Sequence, residues 1–454
     1  TAASSVDGSD LPVSKRQTVS TATFFFYCWF LLDFFLRFPA RIPGYGQLRP
    51  TLVLVAIVAG LLFIQRDKLV GAARNPIMQA FIVLVVYLGL SFLFVEWPGS
   101  VIRNNLSDFV KAAVFLVFTV LVVDTEGRLK KTVFLFVSCQ VFRVLEPLYL
   151  NVTEGYTGSK THLGGGEFAG RLSGAPADVI NPNELGFVIV TAIPFLHFLL
   201  WYGSFKRKLI YLALMPALLF ALIQTMSRGA FIALLVVGWI IFIKSRHKVA
   251  LVTIGIMVAI IGWNTMTPVQ KDRYLSLVQE DTKGSASVEG RLQGIYSEFA
   301  LGMQRPIVGH GIGTTSEAKY HTYGIAQASH SLYAQLLIEI GLIGAIIFLT
   351  FLYRIGQRLA ANQRLLRRYE GQVADFYTNL NQAMVAVFWM YVVYSINYYG
   401  LSQYYWYLFG GLVLAFAFVL RQQLSQQGPQ TNPLENQSSR YPLARTPQFR
   451  RTER

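Results

Sequence analysis

The side chains best suited to chemistry in this chain are arginines and histidines, and they gather toward one stretch. Between Trp263 and Gly344 lie Arg273, Arg291, Arg305, His310 and His321, and the stretch closes on Ser329-His330-Ser331 before the apolar run Leu332–Tyr353. Upstream stand Arg228, within Thr225-Met226-Ser227-Arg228-Gly229-Ala230, and Arg171, in the glycine-rich segment from Gly164 to Gly174. A guanidinium is a planar fork that binds phosphate oxygens in pairs. A neutral imidazole can take a proton from a hydroxyl or accept its hydrogen bond. Several arginines with one well-placed histidine therefore suit an anionic ligand with a hydroxyl beside it.

Arg228 falls in a tight turn between two apolar runs. Gly229 permits the turn, and Ser227 can cap the helix that follows, so a helix N-terminus and a guanidinium meet in one anion site. The plain alternative is an interfacial arginine that snorkels. His330 lies behind the possible cap Ser329 at the start of an apolar helix. The positive end of the helix dipole disfavours imidazolium there, so a neutral histidine is expected; the alternative is an ordinary polar residue at the membrane surface. Gly164-x-Gly166-x-x-Ala169 imitates a dinucleotide fingerprint, but no strand is expected before it and no βαβ unit surrounds it, so the segment reads as a flexible loop presenting Arg171. Asn183 is the expected N-cap of a helix beginning near Leu185. Arg143 and Glu146, three apart on one helix, can pair. His310, His321 and His330 lack metal-ligand spacing, and Cys28 and Cys139 sit singly in apolar runs, so neither a metal site nor a disulfide framework is expected. No phosphate-binding Gly-x-x-x-x-Gly-Lys-Ser/Thr motif occurs, and no nucleic-acid motif accompanies the net charge of +16.

The elements that must position these groups are membrane helices. Of 454 residues, 53% are hydrophobic and only 14% charged, with a mean hydropathy of +0.43. Soluble domains carry about 25% charged residues. Repeated apolar runs of about 18–22 residues indicate an all-α, polytopic membrane protein, since helices satisfy their own backbone groups in lipid. The runs fall near Val19–Leu36, Thr51–Ile64, Ile77–Val95, Phe109–Val123, Thr132–Leu150, Glu184–Trp201, Leu209–Met226, Ala230–Ile243, Val249–Trp263, Leu332–Tyr353, Asn381–Tyr398 and Tyr404–Leu420, about 12 transmembrane helices. Basic residues cluster in alternate connections, which places those connections and both termini in the cytoplasm. The expected layout is a cytoplasmic tail at 1–18, helices over 19–264, a large periplasmic loop at 265–330 carrying the catalytic residues, helices over 331–421, and a disordered basic tail at 422–454. The outward side should be poor in arginine, yet Arg37, Arg41, Arg49, Arg103, Arg171, Arg228, Arg273, Arg291 and Arg305 all map there. Some are strays that a statistical rule tolerates; the others are expected to converge on an anion.

Three stretches resemble the O-antigen ligase/polymerase family of bacterial membrane proteins. They are Asn181-Pro182-Asn183-Glu184-Leu185-Gly186, Ser227-Arg228-Gly229-Ala230, and His330-Ser331 followed by nine residues to Gly341 and then Gly344. The last is similar to the ligase signature of His, Asn/Ser/Gln, nine residues and G-x-x-G, with Ala345 where the family usually has Thr. The resemblance implies a glycosyltransferase C-like fold in the bacterial inner membrane and a part in lipopolysaccharide biosynthesis. It implies inverting transfer of a preassembled glycan from undecaprenyl pyrophosphate to a hydroxyl acceptor such as lipid A-core, with no cofactor and no metal. Carried over by motif, Arg228, Arg291 and His330 would be catalytic, and Arg228, Arg291, Arg171 and Arg305 would hold the donor pyrophosphate. Arg291 followed by ten residues and Gly302 is similar to a pattern of polymerases in the same superfamily, so O-antigen or exopolysaccharide polymerisation stays open beside ligation. A polysaccharide transporter is the remote alternative; it would show repeat halves and interrupted midplane helices.

Overall fold

A computed structural model describes residues 17–69, 71–164, 167–245, 247–277, 279 and 285–426. The expectations for the tails at 1–16 and 427–454 lie outside these residues, as do Gly165 and Gly166. Each expected apolar run lies on a helix. In chain order the helices are α1 (Thr21–Leu36), α2 (Pro50–Ile64), α3 (Pro76–Ser91), α4 (Leu106–Val122), α5 (Glu126–Glu154), α6 (Pro182–Leu196), α7 (Phe205–Thr225), α8 (Arg228–Lys244), α9 (Lys248–Thr265), α10 (Pro268–Leu275), α11 (Ser285–Gly302), α12 (Thr315–Tyr323), α13 (Leu332–Arg368), α14 (Asp375–Tyr394) and α15 (Tyr404–Gln426). Six of them are long and apolar enough to cross a membrane: α5, α6 with its continuation to Trp201, α7, α9, α13 and α15; α1, α2 and α3 are shorter apolar helices. The chain is a multi-pass membrane protein. α13 and α15 run past the apolar spans into Arg354–Arg368 and Arg421–Gln426, because those segments are rich in Arg, Gln, Leu and Ala, which favour helix in any solvent.

Among the described residues the chain is all-α apart from one hairpin, strands β1 (Gly158–Gly164) and β2 (Glu167–Leu172), paired antiparallel with Arg171 opposite Ser159. The expected flexible loop is therefore a β-ribbon, and a strand does precede the glycines. Its partner is antiparallel, so no βαβ unit forms. The turn at Arg228 is also built differently from the expectation. Met226, not Gly229, takes the left-handed conformation (φ 49°). Gly229 is already helical, and its role is to leave room: a Cβ there would stand 3.0 Å from Asn397 Nδ2. Ser227 is the N-cap as expected, accepting from Ala230 N at 3.4 Å.

The stretch between α9 and α13 folds as three helices, α10 to α12, of which only α11 exceeds nine residues. Thr267 and Gln270 form a capping box that starts α10. The stretch ends against a broken helix. Gly341 interrupts α13 with φ 63° and ψ −174°, a conformation essentially reserved for glycine. The break frees backbone groups that the preceding loop satisfies. His310 N donates to Ile338 O at 2.7 Å, Gly311 N to Glu339 O at 3.0 Å, and Leu342 N to Pro306 O at 2.6 Å. The Ile307 carbonyl occupies the space a Cβ of Gly341 would need, and a Cβ on Gly344 would stand 2.6 Å from the Tyr87 ring. The G-x-x-G spacing is thus the spacing of a break and a helix contact. Gly341→Ala should cost about 1–3 kcal/mol; thermal unfolding in detergent measures it, and a variant as stable as the parent would mean the break is not imposed by the glycine.

Candidate functional site

α7 ends at Thr225 with its last carbonyls unpaired by the helix, and two guanidiniums take them up. Arg171, arriving on β2, donates from Nε to Thr225 O at 2.8 Å and from Nη2 to Asn183 Oδ1 at 3.0 Å. Arg273, arriving on α10, donates from Nε to Met226 O at 2.9 Å. Arg228 opens α8 two residues after Met226 and donates from Nη1 to Ser276 Oγ at 2.8 Å, while that hydroxyl donates to Arg273 O at 2.7 Å. Arg171, Arg228 and Arg273 are buried. Among the described residues, Arg171, Arg273 and Arg291 pair with no carboxylate. The charges act on one another. Burial first, then the like charges of Arg273, Arg291 and Arg228, push Arg171 down to about 9. Burial and Arg291 likewise lower Arg273. Arg171, Arg228, Arg273 and Arg291 therefore form one cationic group at the junction of α7 and α8.

Arg291 belongs to α11, whose neighbouring turns present Gly294 and Glu298. These lie three and seven residues on, on one helical face. His330 packs over that face: a Cβ on Gly294 would stand 3.1 Å from His330 Cδ2. Glu298, fully buried, fixes the segment that carries the histidine. Its carboxylate accepts from Ser329 Oγ at 2.7 Å and from His330 N at 3.0 and 3.1 Å, and Lys319 Nζ of α12 donates to it at 2.9 Å. Ser331, and not Ser329, is the N-cap of α13, so His330 sits just before the helix. Burial lowers the imidazole from its ordinary value. Glu298 pulls it back up, and Lys319 and Arg291 add to the fall. Gly302 completes the fit, since a Cβ there would stand 2.7 Å from Leu337 Cγ on α13. The Arg291-to-Gly302 spacing is accordingly the distance between a site residue and a packing contact on one helix.

Other expected participants go elsewhere. Arg305 is not in the cationic group: Nη2 donates to Phe94 O at 2.9 Å, and the guanidinium lies 3.6 Å from Glu96. His310 bonds Glu96 and stacks on Trp97, which His321 stacks on in turn. Arg143 and Glu146 do not pair with each other. Arg143 donates to Asp178 at 2.6 Å, and Glu146 receives Arg41 at 2.5 Å, because residues three apart on α5 point to different neighbouring elements. Asn181, not Asn183, caps α6, forming a capping box with Glu184 behind Pro182. Asn183 is freed to hold Arg171, and its carbonyl accepts Tyr394 Oη at 2.6 Å. Sequence reasoning named Arg273 among the outward arginines without assigning it to the pyrophosphate site, and it passed over Glu298, Lys319 and Ser276 altogether. The one available signal was the 291, 294, 298 face of α11. Among the described residues no group of three or more His, Cys, Asp or Glu could hold a metal ion.

Residues 212–349 match the family model described as O-antigen ligase. The matched segment contains Arg228, Arg273, Arg291, His330 and the Gly341 break, and it excludes Arg171. No curated protein matches the chain.

The Glu298–Lys319 pair yields a test of how the histidine is held. Removing one partner of a buried pair costs about 3–5 kcal/mol, whereas replacing both by apolar groups is close to neutral. Glu298→Ala should lower the unfolding temperature and open 285–330 to proteolysis, and Glu298→Met with Lys319→Met should restore most of both. A double variant no better than the single one would show that the pair does not anchor the His330 segment.

Proposed function

We propose that this chain, of the O-antigen ligase family through residues 212–349, is an inverting glycosyltransferase of the inner membrane. In this reading the loop between α9 and α13 is periplasmic, both termini are cytoplasmic, and a preassembled glycan passes from undecaprenyl pyrophosphate to a hydroxyl acceptor such as lipid A-core. The observation that carries the reading is the convergence of Arg171, Arg228, Arg273 and Arg291 beside His330. Two of those guanidiniums, Arg171 and Arg273, are oriented by backbone carbonyl oxygens, which use up hydrogen bonds without cancelling charge.

The chemistry follows from those groups. The acceptor oxygen attacks the anomeric carbon opposite the pyrophosphate, so one C–O bond forms as the bond to the pyrophosphate oxygen breaks, and the configuration inverts. The leaving group departs with the electron pair as polyprenyl pyrophosphate. Guanidiniums already aimed at its oxygens stabilise the growing negative charge without reorganising, which is electrostatic catalysis. His330 orients the acceptor hydroxyl or takes its proton. Arg291 and His330, facing each other across Gly294, would bring leaving group and nucleophile to one place. The bond energy of the donor drives the transfer.

Purified protein given a lipid-linked glycan and a lipid A-core acceptor should join them once, read as product size on a gel. Arg228→Lys, which keeps charge and loses the fork, and Arg291→Ala should each reduce transfer by about tenfold or more while the protein stays folded. His330→Ala should abolish it. A ladder of lengthening lipid-linked chains formed with no separate acceptor would establish polymerisation in place of ligation. Normal turnover in both arginine variants would place the pyrophosphate elsewhere, and normal turnover in His330→Ala would remove the imidazole from either reaction.

A further inference from the structure

α11 has three faces. Arg291, Gly294, Glu298 and Gly302 turn toward the site and α13. Gln293, Ser297 and Ala300 form a small, mostly polar flank. The third face is apolar and open: Leu292, Tyr296, Phe299 and Met303 recur at helical spacing and are 53%, 71%, 39% and 56% exposed. Large apolar side chains in a contiguous stripe are uncommon on a surface that meets only water.

The stripe does not stop at the end of the helix. Ile307 continues it at 64% exposed, and the chain from 303 to 307 is tied to two membrane helices. Arg305 Nη2 donates to Phe94 O, just past α3, at 2.9 Å, and Leu342 N on α13 donates to Pro306 O at 2.6 Å. Around those anchor points Leu93 and Phe94, just past α3, and Leu342 and Ile346 on the long apolar helix α13 are exposed as well. Through the 303–307 chain the stripe of α11 is thus joined to exposed apolar residues of α13 and of the segment after α3.

We propose that α11 is an interfacial helix, seated in the leaflet on the loop's side, with Leu292, Tyr296, Phe299 and Met303 among the outermost acyl carbons. A helix with one apolar face, one polar flank and modest overall hydrophobicity lies in the interface plane with its apolar face buried by about 5–10 Å. The occupant of the stripe is therefore lipid. The consequence reaches the site. Arg291 shares the helix with the stripe and the ring of His330 packs on that helix at Gly294, so the leaflet sets their depth at the headgroup level, where lipid phosphates lie. This placement holds whichever transfer reaction the site performs.

The test uses the full chain in phospholipid nanodiscs with and without lipids bearing a doxyl quencher at acyl carbon 5. Single cysteines replace Tyr296 and, as the flank control, Gln293, each carrying a nitrobenzoxadiazole label. The parent chain with Cys28 and Cys139 alone serves as the labelling blank. The probe at 296 should be quenched roughly twofold or more relative to the probe at 293. Phe299→Cys repeats the measurement should the 296 variant fold poorly. Equal quenching at the two positions, or none at 296, overturns the proposal, and so does disulfide crosslinking between 296 positions of two copies, which would make the stripe a protein contact.

Discussion

α7 ends with Met226 in the left-handed conformation, and that single residue points the last carbonyls of the helix at two guanidiniums. A non-glycine residue there costs about 1–2 kcal/mol. The return is geometric. Arg171 and Arg273 are buried, and a buried guanidinium must have its donors satisfied. Carboxylates would do that and neutralise the site. The end of a helix offers about half a negative charge and several orphan acceptors, enough to hold the arginines while leaving them cationic toward a ligand. Ser227 then caps α8 immediately, so the C-terminus of one helix and the N-terminus of the next adjoin, with Arg228 the first residue of the second.

The four arginines come from four separate elements: a hairpin strand, the first turn of α8, α10 and α11. Nothing in any one element makes a site. It exists because the stretch between α9 and α13 folds back on the helix ends, and that return depends on close approaches that only glycine permits. Gly294 admits the His330 ring, Gly302 admits Leu337, and Gly341 breaks α13 so that the 306–311 backbone can pair with it. The broken helix also carries Glu339, fully buried, whose carboxylate accepts from Gly313 N at 2.8 Å and Thr315 Oγ1 at 2.6 Å. The loop is thereby fastened at its middle as well as at its end.

How much of this could be read beforehand follows from the range of each interaction. The apolar runs were legible because twenty residues of hydropathy are a local property, and each became a helix. The turn at Arg228 and its cap Ser227 were legible for the same reason. The β-ribbon was not, since a short glycine-rich segment has no period that outweighs a loop reading, and its pairing needs the hairpin register. The partners of Arg143 and Glu146 were misjudged because the nearest opposite charge in sequence was preferred to Asp178 and Arg41, which only tertiary packing brings near. Arg305 shared its expected outward position with the other arginines; what separates it is Glu96, 209 residues away in the chain. Glu298 and Lys319 were invisible as a pair, each looking like an ordinary surface charge until both proved buried.

That buried pair also explains a division of labour within the site. A histidine beside Arg291 and Lys319 is held toward its neutral form by burial and by their charge, and a carboxylate close by would ordinarily reverse this. Glu298 does pull in that direction, but its oxygens are engaged by Lys319, by the Ser329 hydroxyl and by the backbone N–H of residue 330, and no hydrogen bond joins it to the imidazole ring. The ring is therefore positioned through its main chain and left with a nitrogen able to accept. The positive charge of the site then resides in the guanidiniums, which cannot lose it at neutral pH, and the proton-accepting capacity resides in one imidazole, which can. In the proposed reaction such a site would distinguish an anionic leaving group from a neutral hydroxyl by chemistry alone. Among the described residues the reacting groups offer nothing that would tell one hydroxyl from another, so under the proposed reaction the choice of acceptor would fall to surfaces beyond them, such as the exposed face of α11.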